Sequence, residues 1–446
     1  MVAVVDEGLG NSAYCVDLGD GRALAVDASR DLRGLRREAQ RRGLEVAFAA
    51  DTHLHADFLS GARDLAADGA RILASAAGGR QFPHQGLREG DEVDLGGLRL
   101  RALVTPGHTP EHLSFMLLDG PRPLGVFTGG SLIVGAVART DLVSPDRTEQ
   151  LAREQWQSLQ RLVTLPDETE VWPTHGAGSF CAAPPGSART TTIGREKEAN
   201  PLLNAGSEQA FVEQLLAGLG SFPPYFVRLG EANRAGPRPL ADAPTLTSLS
   251  AHAVARQMDS GAQLVDVRPV QQYAESHIAG ALSIPLRDVF ATWLGWTVEP
   301  DRPLVFVRAD DQDPDEIIWQ SLKIGYDNLA GELDGGLAAW VAAGLPTTTT
   351  RMLLAEQLDG RPLIDVRQRS EYATGHVPRA LNVELGQLAE GHAGQVGKGA
   401  AVMCGHGERA MTAVSLLERS GRRDLAVVVG GPDDWAEYSG QPLEVA

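Results

Sequence analysis

The chain has little cysteine. Only Cys15, Cys181 and Cys404 occur in 446 residues, far apart and odd in number. That excludes a disulfide framework and suits a reducing compartment. Basic charge is also short, with 40 Lys and Arg against 58 Asp and Glu and a formal net charge of −18. Nucleic acid and anionic membrane surfaces are thereby excluded as partners, because phosphate binding needs a basic face. A small thiol or sulfur anion stays open, since a few arginines can make a positive pocket on an acidic protein. No apolar run approaches the roughly 18 residues of a membrane-spanning helix. Met1 to Glu7 lacks the basic start and apolar stretch of a secretory leader. A soluble, cytoplasmic protein is the expectation. The length exceeds one ordinary core and predicts two or three domains.

What is present falls into two patterns. The first part alternates short β runs and helices. Ala23 to Asp27 and Val46 to Asp51 read as buried strands with an Arg-rich helix between them. Val93 to Val104 reads as a hairpin turning at Gly96-Gly97, with strands at His112 to Leu118, Leu124 to Thr128 and Glu170 to Trp172, and a helix at Thr148 to Leu162. Beyond Ala177 the residues turn to Pro, Gly, Ser and Thr. Pro184-Pro185, Pro223-Pro224, Pro237, Pro239 and Pro244 mark a long connection with one helix near Glu208 to Leu219.

From about residue 245 the chain repeats itself at an offset of 99 residues. Leu264-Val265-Asp266-Val267-Arg268 recurs as Leu363-Ile364-Asp365-Val366-Arg367. Tyr273 and His277 recur as Tyr372 and His376; near the end of each copy, outside that register, Gly335-Gly336 to Trp340 is echoed by Gly430-Gly431 to Trp435. A period that long is a domain duplication, because solenoid units run to about 20–50 residues. Each copy alternates strand and helix, the pattern of a helix-covered parallel sheet. The expected domains are 1–240, 245–346 and 350–446.

In the second copy the strand Ala400 to Met403 runs into Cys404-Gly405-His406-Gly407-Glu408-Arg409, and a helix follows from about Ala410. A Gly-rich strand-to-helix loop can turn its N–H groups inward as an anion nest. A cysteine at its start sits in a field that favours the thiolate, and Arg409 can hold an oxyanion in bidentate fashion. The bland alternative is a small buried hydrophobe ending a strand. The loop, with Asp-Val-Arg upstream and Gly-Gly-x-x-x-Trp downstream, resembles the rhodanese family. The resemblance implies that Cys404 carries a persulfide within the loop Gly405, His406, Gly407 and Glu408, and exchanges sulfur with thiosulfate, sulfite or thiols. Cysteine-dependent phosphatases carry a similar loop that is typically one residue longer. The first copy has Arg308-Ala309-Asp310-Asp311-Gln312-Asp313 at this point and no cysteine, so it reads as a pseudo-rhodanese that packs, orients or docks.

Histidines punctuate the first part: Thr52-His53-Leu54-His55-Ala56-Asp57-Phe58, read as opening a helix, then Gly107-His108-Thr109 and Thr174-His175-Gly176. Strand-end histidines can converge at one sheet edge as a metal pocket, although a lone one is usually a hydrogen-bonding loop residue. The set resembles the metallo-β-lactamase superfamily. With Phe127-Thr128-Gly129 and Arg139-Thr140-Asp141, it is similar to the bacterial persulfide dioxygenase–rhodanese fusions.

That resemblance implies an αββα sandwich followed by two rhodanese-like α/β domains. It also implies a mononuclear Fe(II) held by His53, His108 and an Asp, with a low-molecular-weight thiol persulfide as substrate. Gly130 stands where the family has that Asp, so incomplete or absent iron is expected, with His55, Asp57 and His175 within reach as substitutes. Glycine there would follow from a φ that Asp tolerates poorly. Phe58 stands at the usual second-metal histidine, against a metal-dependent thioester hydrolase of the glyoxalase II kind. A first domain that only binds a persulfide, leaving the rhodanese as the active part, is a further alternative. Arg139, Thr140 and Asp141 match the stretch bordering the thiol substrate, and a homo-oligomer is expected. Cys15 and Cys181 read as inert core residues, with Cys181 the better placed for redox crosstalk.

Overall fold

A computed structural model of the chain describes residues 1–182, 186–240, 244–358 and 360–446. The chain forms two compact units: residues 1–243 with 322–325, and residues 244–321 with 326–446.

The first unit contains two six-stranded sheets. One runs β1 (Val2–Asp6), β2 (Asn11–Asp17), β3 (Arg22–Val26), β4 (Glu45–Ala50), β5 (Arg71–Ser75) and β6 (Gln85–Leu87) in spatial order. The other runs from β7 (Glu92–Asp94) through β8 (Leu98–Val104), β9 (Leu113–Asp119), β10 (Arg122–Gly129) and β11 (Glu170–Pro173) to β12 (Thr191–Thr192). Period-two alternation explains the layering. In β3, Leu24 and Val26 enter a core with Phe48, Phe115, Phe127 and Trp172 between the sheets. Ala23 and Ala25 face the opposite way and pack with Leu35 and Ala39 of the helix Arg33–Arg41. In β10 and β11, Phe127 and Trp172 point inward. Val126 and Val171 pack outward on Leu159 and Phe211, from the helices Thr148–Leu162 and Glu208–Ala217. The result is the expected αββα sandwich.

Two expectations change. Residues 52–61 hold no helix, which begins only at Ala62. The loop keeps its shape through side chains instead. Asn233 donates to the carbonyls of His55 and Phe58 at 2.7 and 2.8 Å and accepts from Ser60 N at 2.8 Å. The stretch after Ala177 is no loose connection either. It carries three helices, Ile193–Ala199, Glu208–Ala217 and Phe226–Ala235, and Phe211, Val212 and Leu215 join the core. The apolar side chains of those helices outweigh the Pro and Gly between them. Pro184 and Pro185 lie outside the described residues.

In the second unit the two copies build two five-stranded parallel sheets of one strand order. In the first the order is 248–249, 329–333, 304–307, 263–266, 282–283. In the second it is 351–354, 426–429, 401–403, 363–365, 381–382. The repeated motif is scaffolding. Arg268 grips Asp266 and the Ser276 carbonyl, and Arg367 grips Asp365 and the Gly375 carbonyl at 2.7 Å. His277 and His376 stack on Tyr273 and Tyr372, with ring centroids 3.8 and 3.7 Å apart. The copies also touch. Ser283 exchanges hydrogen bonds with Thr412 and Ser415, and buried Trp296 covers Gly386, where a Cβ would stand 2.2 Å from its ring. Gly386→Ala should therefore destabilise the second unit by about 1–3 kcal/mol through overpacking. An unchanged denaturation midpoint for that unit would show that the copies do not depend on this contact.

Candidate functional site

Four strands of the first unit end at one pocket. Asp27 follows β3, His53, His55 and Asp57 follow β4, His108 follows β8, and His175 follows β11. All six side chains are buried. One ring nitrogen from each of His53, His108 and His175 lies within 4.8 Å of the others, and each Nε2 is buried without a hydrogen-bond partner.

The tautomers follow from the hydrogen bonds. Thr52 Oγ1 gives its proton to Asp27 Oδ2 at 2.8 Å, so at His53 it must accept from Nδ1, also at 2.8 Å. His108 Nδ1 donates to the Arg139 carbonyl at 2.7 Å. His175 Nδ1 donates to Asn11 Oδ1 at 3.0 Å, while Asn11 Nδ2 donates to Asp57 Oδ2 at 2.8 Å. Every Nε2 is thus a free lone pair. Burial and the neighbouring imidazoles push His53 well below its ordinary pKa and His108 down to about 3, so both are neutral at physiological pH. Three buried, unpartnered imidazole nitrogens fit one divalent transition metal.

Of the other ligand candidates, His55 is turned away. Its Nε2 lies 3.2 Å from Asp27 Oδ1 and its ring stacks on Phe58, with centroids 4.1 Å apart. His55 instead belongs to a separate buried group with Asp27 and Asp51. Asp57 is beside the trio, with Oδ2 3.4 Å from His175 Nδ1 and Oδ1 unpartnered. Burial would raise its pKa, but His175, His55 and Asn11 hold it ionised at about 2. Cys181 shares this corner with Asp57 and His175, and burial pushes its thiol well above the ordinary range.

Arg139 lies at the pocket wall with its guanidinium committed to Asp141, the carbonyls of Phe180 and Gly220, and the Phe222 ring at 4.4 Å. Its backbone carbonyl orients His108. Thr140 Oγ1 is bonded to the Thr148 carbonyl at 3.2 Å. The arrangement makes Arg139 a residue that positions a ligand. Sequence reasoning missed Asn11, Asp27, Thr52, Thr174 and His112. Asp27 was visible only as a carboxylate ending a buried strand, and His112, whose Nε2 accepts from Gly130 N at 3.0 Å, only as a histidine starting one.

Gly130 has a physical reason other than the expected φ. Gly129 carries the positive φ, at +54°, and Gly130 has none. A Cβ on Gly130 would stand 2.4 Å from His108 Cδ2 and 3.0 Å from Ala138 Cβ. His108 cannot give way, being fixed by Arg139 O and by Gln155 Oε1 on its N–H.

The second site is the cysteine loop. Cys404 is buried and its sulfur accepts from Gly407 N at 3.1 Å. The helix behind it spans Glu408–Arg419, beginning two residues earlier than expected, with Gly407 as N-cap at φ +112°. Gly431 belongs to this loop as well, since a Cβ there would meet the Gly405 carbonyl at 2.5 Å. The equivalent Gly336 of the first copy is required by its positive φ of +57° instead. In the first copy the equivalent loop fills itself. Gln312 accepts from Ala309 N and donates to Val267 O, and Arg308 pairs with Glu332.

Residues 250–343 and 350–438 each match the Rhodanese-like domain family. The crystal structure of a metallo-beta-lactamase from Staphylococcus aureus subsp. aureus COL superposes with a TM-score of 0.66 at 30% identity, covering 74% of this chain and 97% of that one. Hydroxyacylglutathione hydrolase of Cereibacter sphaeroides is 33% identical over 169 residues, 37% of this chain and 62% of the enzyme. Persulfide dioxygenase ETHE1, mitochondrial, of Homo sapiens is 27% identical over 171 residues, 37% of this chain and 60% of that protein. The chain thus spans about six-tenths of the length of these two relatives. It belongs to the metallo-β-lactamase family, in a fused form that adds two rhodanese-like domains. No helix among the described residues is long and apolar enough to cross a membrane.

The crowding at Gly130 gives a signed prediction. Gly130→Ala and Gly130→Asp should both lower the metal content of the purified, folded protein, by displacing His108. A rise in metal content of Gly130→Asp, with folding verified by circular dichroism, would contradict this geometry and indicate a vacant ligand position at residue 130.

Proposed function

We propose that the chain handles sulfane sulfur, with Cys404 as the carrier in a sulfurtransferase domain at 350–446. The first domain, 1–240, holds one metal ion on His53, His108 and His175, and the cysteine-less copy at 245–346 is a packing module. The observation that carries the reading is the Cys404 loop, with a buried sulfur at a helix N-terminus accepting a backbone N–H.

The chemistry follows from that placement. The Cys404 thiolate attacks the outer sulfur of a thiol persulfide or of thiosulfate. A new S–S bond forms at Sγ as the donor's own S–S bond breaks. The bonding electrons leave on the thiolate or on sulfite. A thiol or sulfite then takes the sulfur from Cys404 by the reverse exchange. The loop N–H groups stabilise the anionic sulfur throughout.

In the first domain the three imidazoles would hold Fe(II), a metal that supplies oxygen activation and Lewis acidity at the pocket. The likeness to persulfide dioxygenase supports a thiol persulfide as the compound handled there. The chain's own contribution is to keep His53 and His108 neutral and all three ligands oriented and away from bulk water. A metal-dependent thioester hydrolase is the second reading, favoured by the higher identity to hydroxyacylglutathione hydrolase. Against it, Phe58, at the position of the usual second-metal histidine, stacks on His55. Iron with oxygen uptake supports the first reading and zinc with thioester cleavage the second. Residence in the cytoplasm fits the thiol chemistry, and assembly into a homo-oligomer is part of the proposal.

Cys404→Ser should abolish sulfur transfer from any donor and leave the circular dichroism unchanged. Mass spectrometry after incubation with a donor should find one added sulfur on the Cys404 peptide. Sulfur found on Cys15 or Cys181 alone would remove Cys404 from the mechanism.

A further inference from the structure

The cation that should serve an anionic donor at the Cys404 loop is already neutralised. Arg409 Nη1 and Nη2 lie 2.5 and 2.8 Å from the two carboxylate oxygens of Glu371, a bidentate pair. Glu371 is itself pinned, because Oε2 also accepts from Gln368 N at 3.1 Å as part of a capping box on the helix Arg369–Thr374. From above, the Trp293 ring of the cysteine-less copy lies 5.5 Å from the guanidinium, within cation–π range. The Arg409 side chain is only 15% exposed, so leaving Glu371 would cost it both partners. Arg287 lies 3.8 Å from Glu408, the residue before Arg409, so this cation too faces an acid.

The two donor classes differ in the charge that departs. Thiosulfate transfer, Cys–S⁻ plus S–SO₃²⁻ giving Cys–S–S⁻ plus SO₃²⁻, puts two negative charges on the leaving sulfite beside the loop. Transfer from an organic persulfide, Cys–S⁻ plus R–S–SH giving Cys–S–S⁻ plus R–SH, moves the donor's own proton onto the departing sulfur, so the leaving group is a neutral thiol. The first gains more from a free cation than the second.

We propose that Glu371 selects the sulfur donor of the Cys404 loop: by occupying Arg409 it disfavours dianionic donors such as thiosulfate and leaves organic persulfides, R–S–SH, as the donor class. The proposal rests on Cys404 being the sulfur carrier.

The test is Glu371→Gln in the full chain, because Gln keeps the length and the capping bond and removes only the charge. Loading of Cys404 is followed in single turnovers by mass spectrometry, with dianionic thiosulfate and with the persulfide of mercaptoethanol, which carries at most one charge. The unmodified protein should load faster from the persulfide. Glu371→Gln should raise the thiosulfate rate about tenfold, the effect of one charge-assisted pair discounted for partial exposure, and leave the persulfide rate within about twofold. The gain should vanish in Glu371→Gln/Arg409→Gln, where no cation is left to release. Glu371→Ala, which also drops the capping bond, should change the thiosulfate rate in the same direction. Thiosulfate loading faster than persulfide loading in the unmodified protein would overturn the proposal, as would equal changes with both donors. If no donor places sulfur on Cys404, the sulfurtransferase reading itself fails, an outcome distinct from either of those.

Discussion

The metal pocket depends on one buried carboxylate. Asp27 has a positive φ of +51° at the end of β3, a backbone conformation that few non-glycine residues adopt. There it collects Thr52 N at 2.7 Å, Thr52 Oγ1 at 2.8 Å, His55 Nε2 at 3.2 Å and the Thr174 hydroxyl. Burial alone would keep it protonated, but His55 and these donors hold its pKa below the ordinary value. By taking the Thr52 proton it fixes the His53 tautomer. By binding His55 it removes that imidazole from the ligand set, and by binding Thr174 it anchors the residue before His175. One ion therefore decides which histidines converge.

The same logic separates the two copies of the second unit. Both use an Asp–Arg grip and a Tyr–His stack to hold their sheets and helices, so the shared sequence is a shared scaffold. They diverge in the loop that follows the central strand. With Gln312 and Arg308 the first loop is filled by its own side chains. With Cys404 and glycines the second leaves a sulfur facing an N–H. The first copy still contributes, since Trp293 lies against Arg409 and Trp296 on Gly386.

Much of this was legible in the sequence because it follows from periodicity and local motif. The alternating strands, the helix Thr148–Leu162, the hairpin at Gly96-Gly97, the duplication and the Cys404 loop all come from short-range patterns. What was not legible rests on long-range pairing. Asn11 clamps His175 across 164 residues and Asn233 clamps the His55 loop across 178, and neither has a local signature. The reason for Gly130 was hidden as well, because the ring it makes room for is 22 residues away in sequence and meets it only in the folded pocket. Glu371 drew no reading from the sequence, and its pairing with Arg409, 38 residues on, appears only once the two helices are packed.

The claim that a three-imidazole centre replaces the carboxylate-bearing one is tested most directly by locating the metal. The anomalous-scattering crystal structure of protein loaded anaerobically with Fe(II) should show a single ion bonded to Nε2 of His53, His108 and His175, with His55 still on Asp27. An ion bonded to His55 or to the Asp57 carboxylate in place of His175, or a second ion in the pocket, would contradict it.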